Sequence, residues 1–129
     1  MPKKVLVVDD EVHIIHVVAI KLRNNGYEVI SAENGSEALK LALEERPDIV
    51  VTDFQMPVMS GLEMVENMRS HDATVDIPVI MLTARSFNID EHIKHDLRIS
   101  EFLSKPFSPK ELLRSIEDIF HHQTVNHGS

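Results

Sequence analysis

The sequence predicts an α/β fold, a doubly wound five-stranded parallel sheet with five helices, and three observations carry that expectation. Short apolar runs recur at Val5-Leu6-Val7-Val8, Val29-Ile30, Ile49-Val50-Val51, Val79-Ile80-Met81-Leu82 and Phe102-Leu103. Stretches of helical periodicity separate each run from the next. Helix-start signatures, Ser or Asn followed three residues later by Glu, stand where those stretches begin. Strands alternating with helices imply right-handed crossovers and layers of helix on both faces of a parallel sheet.

Val5 to Val8 is apolar without interruption, as expected of a strand covered on both faces, and it stops abruptly at Asp9-Asp10. In the first helix Ile15, Val18, Ala19 and Leu22 form one apolar stripe. Asp9 or Asp10 is a candidate N-cap for it, and Gly26 is placed to end it in a left-handed conformation. After the second run, Asn34 with Glu37 opens the second helix. The third run is the expected central strand and leads into Asp53. Ser60 with Glu63 opens the third helix, and Asn88 with Glu91 opens the fourth. Ser108 with Glu111 opens the fifth, with Pro109 at the first helical position, where a missing N–H costs nothing. That helix is expected to run to about His121. The chain then divides into one domain over residues 1–122 and a flexible C-terminal tail over residues 123–129.

A chain of 129 residues suffices for one core and is short for two. Cysteine is absent, which excludes disulfides, thiolate metal sites and thiol nucleophiles. Only four apolar residues separate Lys4 from Asp9, too few for a signal core or a membrane span, so the expected location is cytoplasmic with no membrane partner. A net charge of −8 argues against direct nucleic-acid binding by this domain.

In such folds ligands gather beyond the carboxyl ends of the strands. The residues there are Asp9-Asp10-Glu11, Asp53 to Pro57, Thr83-Ala84-Arg85 and Lys105-Pro106. Singly, each has a structural explanation: a cap, a strand end, a turn. Acid, acid, hydroxyl and ammonium from four separate loops at one edge is poorly explained that way. Three converging carboxylates repel one another, and Mg²⁺ is the simplest remedy because it takes a few carboxylate oxygens, keeps waters and leaves room for phosphate oxygens. Mn²⁺ would serve by the same chemistry. Asp9, Asp10 and Asp53 are the candidate metal ligands, with the backbone carbonyl of Gln55 as a further one. Asp53, at an ordinary pKa near ~4, would be ionised at neutral pH and able to attack an activated phosphorus without a general base. Lys105 and Thr83 are placed to bind oxygens of the transferred group.

The motifs Val7-Val8-Asp9-Asp10-Glu11, Asp53-Phe54-Gln55-Met56-Pro57 with Gly61, Leu82-Thr83-Ala84 and Lys105-Pro106-Phe107 resemble those of the receiver domains of two-component response regulators. The likeness spans Lys3 to about Phe120. It implies a flavodoxin-like fold with strand order 2-1-3-4-5. It further implies that a sensor histidine kinase or phosphotransfer protein donates a phosphoryl group to Asp53, with Mg²⁺ on Asp9, Asp10 and Asp53, in a phosphorelay. The domain would assist its own phosphorylation and dephosphorylation without being an enzyme in the turnover sense. Thr83 and Phe102 would form the switch, the aromatic ring turning inward as the hydroxyl moves. Gln55 and Arg85 would tune phosphoryl lifetime, and the Lys105-Pro106 peptide would be cis. Partners implied are a downstream effector or output domain and a phosphorylation-dependent homodimer. One departure stands out. Where the family commonly has Gly-Ala before the switch aromatic, this chain has Leu97-Arg98-Ile99-Ser100, with no glycine to cap the fourth helix.

Three other readings are weaker. A haloacid-dehalogenase-type hydrolase would need an acid two residues after Asp53, where Gln55 stands. A nucleotide-binding α/β domain would have glycines where Asp9-Asp10-Glu11 stands. The pairs His13/His16 and His92/His95 have helical spacing but no third ligand, so solvated helix faces explain them better than zinc. Methionines 56, 59, 64 and 68 read as packing around the third helix.

Overall fold

The computed structural model describes residues 2–84 and 91–127, the last four of them by backbone alone. Five parallel strands, β1 (Lys4–Val8), β2 (Glu28–Ala32), β3 (Ile49–Asp53), β4 (Val79–Thr83) and β5 (Glu101–Ser104), form one sheet in the order β2-β1-β3-β4-β5. The helices between and after them are α1 (Val12–Arg23), α2 (Gly35–Glu45), α3 (Gly61–Arg69), α4 (Glu91–Leu97) and α5 (Pro109–His127).

The uninterrupted apolar runs have a direct cause in the pleat. Val5 and Val7 point into a core with Ile15, Val18 and Leu22 of α1 and with Leu112 and Ile116 of α5. Leu6 and Val8 point to the other face, with Ala38 and Ala42 of α2 and Met64, Val65 and Met68 of α3. Alternate residues therefore meet opposite layers, and both sets must be apolar. Met64 and Met68 are fully buried, so they act in packing.

The caps explain most helix starts. Ser60 and Glu63 form a reciprocal box, as do Ser108 and Glu111, and the Asn34 side chain accepts from the Glu37 N–H. Asn88 lies outside the described residues. Gly26 takes φ +90°, as the chain turns from α1 into β2.

Three expectations change. Neither Asp9 nor Asp10 caps α1; Glu11 is the N-cap and makes no side-chain cap bond, while Asp9 Oδ1 accepts the Glu11 N–H at 2.9 Å. Both aspartates are thereby left for the sheet edge. The helical backbone of α5 continues past His121 to His127, into the stretch expected to be a tail.

The third change concerns α4, which ends without glycine. Arg98 adopts φ 53°, with its N–H bonded to the His95 carbonyl and the Ile99 N–H bonded to that of Lys94. This is the pattern a glycine usually permits. The half-buried guanidinium of Arg69 supports it from α3, donating to Leu97 O at 2.8 Å and to Thr74 O and Val75 O, while Arg98 itself bonds Val75 O and Asp76. Burial lowers the Arg69 pKa, with the Arg98 charge adding to the effect. The helix is short, and its end is held by arginines where a glycine was missing.

Candidate functional site

Strand register brings the chemistry together. Val8 pairs with Thr52, Asp53 with Leu82 and Thr83 with Ser104, so Asp9, Asp53, Thr83 and Lys105 fall at the same edge of the sheet. Lys105 is tied there by its N–H to Thr83 O at 2.7 Å, and its peptide to Pro106 is cis. Gly61 sits where a Cβ would overlap the carbonyl oxygen of Asp53, and its N–H donates to Phe54 O at 2.9 Å. Only a residue without a side chain lets α3 start so close to the acidic strand end.

Asp9, Asp10 and Asp53 each offer a carboxylate oxygen within 4.8 Å of the others. Asp9 is fully buried, Asp53 nearly so and Asp10 exposed. Among the described residues this is the one cluster of three metal-binding side chains; the four histidines of the helical pairs are exposed. Asp10 and Asp53 line a cavity of about 290 Å³ with Glu11, Phe54, Gln55, Ala84 and Lys105.

The Lys105 ammonium stands 2.9 Å from Asp9, 3.3 Å from Glu11 and 3.5 Å from Asp53. Burial works against its charge, but the bonds and fields of these acids outweigh that and raise its pKa above the ordinary lysine value. One cation does not neutralise the cluster. Burial, then the charge of Asp9, pushes the Asp53 carboxyl up to about 6 in spite of Lys105 and the Phe54 N–H. The ordinary carboxylate pKa read from the sequence is therefore not what this buried acidic edge provides. Asp53 remains mostly ionised at neutral pH, and the excess negative charge fits a hard divalent cation.

Thr83 is buried and donates its hydroxyl to Leu103 O at 3.5 Å, away from the cavity. Gln55 is exposed at the cavity rim. Phe102 is half-buried against the core shared with α2 and α3, with the Lys94 ammonium 5.8 Å from its ring centroid. Arg85 lies outside the described residues. Sequence reasoning missed Glu11 as a partner of Lys105, because a bond between residues 94 positions apart has no local signature.

Comparison with known proteins agrees. The family described as Response regulator receiver domain matches residues 5–117. The alkaline phosphatase synthesis transcriptional regulatory protein PhoP of Bacillus subtilis is 36% identical over 97% of this chain and 51% of its own length. The phosphate regulon transcriptional regulatory protein PhoB of Pseudomonas aeruginosa is 34% identical over 91% of this chain and 51% of its own. The chain thus spans about half the length of these curated relatives. The solved structure of chemotaxis response regulator CheY4 of Vibrio cholerae superposes with a TM-score of 0.85 at 34% identity, covering 92% of this chain and 99% of that one. No described helix is long and apolar enough to cross a membrane. Fold, acidic edge and sequence likeness together place this chain in the response regulator receiver domain family, the phosphoacceptor switches of two-component signalling.

Proposed function

We propose that Asp53 is the phosphoryl acceptor, and the observation that carries this is its placement. It ends the central strand, nearly buried, within reach of both the metal-competent pair Asp9 and Asp10 and the Lys105 ammonium. In the reaction an Oδ of Asp53 attacks phosphorus, a P–O bond forms, and the P–N bond to the donor's phosphohistidine breaks as the imidazole leaves.

Mg²⁺, or Mn²⁺, would be held by Asp9, Asp10, Asp53 and the carbonyl of Gln55. When bound it supplies charge neutralisation for the phosphoryl oxygens. Lys105 binds one phosphoryl oxygen, giving up its contact with Asp53, and Thr83 binds another by turning its hydroxyl away from Leu103 O. Phe102 then turns inward, which strands no polar group because it has no hydroxyl. Gln55 and Arg85, flanking the acceptor, set phosphoryl lifetime. The same groups assist hydrolysis of the acyl phosphate, which makes the domain a self-resetting switch.

The donor we propose is a sensor histidine kinase or a phosphotransfer protein. A groove of about 550 Å³ beside the site, lined by Ile14, Val17, Val18, Pro106 and Phe107, suits the apolar face of a donor helix. Half-exposed Val17 is an apolar contact point on its wall. The downstream partner is an effector or output domain, with homodimer formation on phosphorylation as a route to output. The transcriptional names of PhoP and PhoB support a cytoplasmic regulator in which any contact with DNA is made outside this acidic domain.

The test is to incubate the protein with Mg²⁺ and a small-molecule phosphodonor and measure intact mass for wild type and Asp53→Asn. Wild type should gain one acid-labile phosphoryl group and the variant none. Equal labelling of both would refute the assignment.

A further inference from the structure

Lys94 is a cation placed against a proposed switch component, the ring of Phe102. Its ammonium lies 5.8 Å from the centroid of the Phe102 ring, within the range at which a cation is attracted to an aromatic face. The helix that carries it has little hold of its own. No residue of α4 is buried, and its described anchorage is concentrated at its C-terminal end, in partly buried Leu97, in the bond from Arg69 to Leu97 O and in buried Ile99 just beyond. Phe102 itself is only half-buried. A helix with no buried residue thus places one charged side chain over a ring that packs against the core from β5. On the neighbouring strand the Thr83 hydroxyl is engaged with Leu103 O, so both parts of the switch are held in the same resting arrangement.

We propose that Lys94 is a positioning residue that holds Phe102 in this resting arrangement, so that the inward turn of the ring requires the cation–π contact to break. The inference rests on the reading of Phe102 as the switch aromatic. Its consequence is a bias in a two-state equilibrium. Loss of the cation raises the ratio of inward to resting rings, and a ligand that selects the inward state then binds more tightly by the same factor. A partly exposed cation–π pair corresponds to a factor of about 2 to 5.

The sign separates this from simple electrostatics. Removing a positive charge weakens binding of an anion by Coulomb's law. The positioning role requires the opposite.

The experiment measures the affinity of the whole chain for beryllofluoride, a phosphoryl analogue, in saturating Mg²⁺. Lys94→Met keeps the apolar stem and should bind about 2- to 5-fold more tightly than wild type. Lys94→Arg keeps a cation and should bind like wild type. In a Phe102→Leu background, Lys94→Met should have no effect. Equal or weaker binding by Lys94→Met overturns the proposal, and so does an effect that persists without the Phe102 ring. A fluorine label on Phe102 separates the two levels. If its signal in wild type does not change when beryllofluoride binds, the switch reading itself fails; if it changes while Lys94→Met matches wild type, only the role of Lys94 fails.

Discussion

The ammonium of Lys105 and the fully buried carboxylate of Asp9 are 2.9 Å apart, closer than the 3.5 Å between the same ammonium and Asp53. Lys105 is therefore first the counter-ion of Asp9 and second a neighbour of the proposed acceptor. A cation bound among the acids would release it toward the phosphoryl group.

Lys105→Met should destabilise the metal-free protein by about 2–4 kcal/mol, because removing one partner of a buried pair leaves the other uncompensated. Millimolar Mg²⁺ should restore much of that loss, and chelation should abolish the rescue. Urea unfolding with and without Mg²⁺ checks both. The same variant should lose most of its phosphorylation by a small-molecule donor.

The raised Asp53 pKa carries a stability consequence with a definite sign. The folded chain binds this proton more tightly than the unfolded chain, so stability falls as pH rises from about 4 to about 6 and stays lowered above that. Asp53→Asn removes the charge. Without metal, the variant should be more stable than wild type by about 1–3 kcal/mol at pH 7.5 and equal to it near pH 4. Mg²⁺ should shrink the gap by stabilising wild type. Thermal melts across this pH range test it, and a gap that widens toward acid would reverse the assignment.

The two arginines at the end of α4 should behave differently. Arg69→Ala strips bonds from Leu97 O, Thr74 O and Val75 O and should cost about 2–3 kcal/mol, with faster amide exchange in α4. Arg98→Gly relieves a left-handed backbone but gives up the ion pair to Asp76 and the bond to Val75 O, and should change stability by less than about 1 kcal/mol. Hydrogen exchange and urea unfolding of both variants separate them.

Val58 has φ 71° and is 82% exposed, a β-branched residue in a left-handed conformation with no burial to offset it. Val58→Asn should raise stability by about 0.5–1.5 kcal/mol without changing phosphorylation by a small-molecule donor. Denaturation midpoints and intact-mass labelling provide the check.

What the sequence determined by itself was whatever depends on local pattern. The five runs, the helix stripes and the boxes at Ser60 and Ser108 are set by period and by nearest-neighbour hydrogen bonds, and the right-handed crossover rule turns them into a sheet with a known ligand edge. Asp9, Asp10, Asp53, Thr83 and Lys105 were legible as a group for that reason. The tertiary structure decided what depends on distance in space between residues remote in sequence. It joined Glu11 to Lys105, raised the Asp53 pKa through burial beside Asp9, and ended α4 with guanidinium groups in place of a glycine. Desolvation and Coulomb interaction are properties of the assembled edge, and no window along the chain contains them.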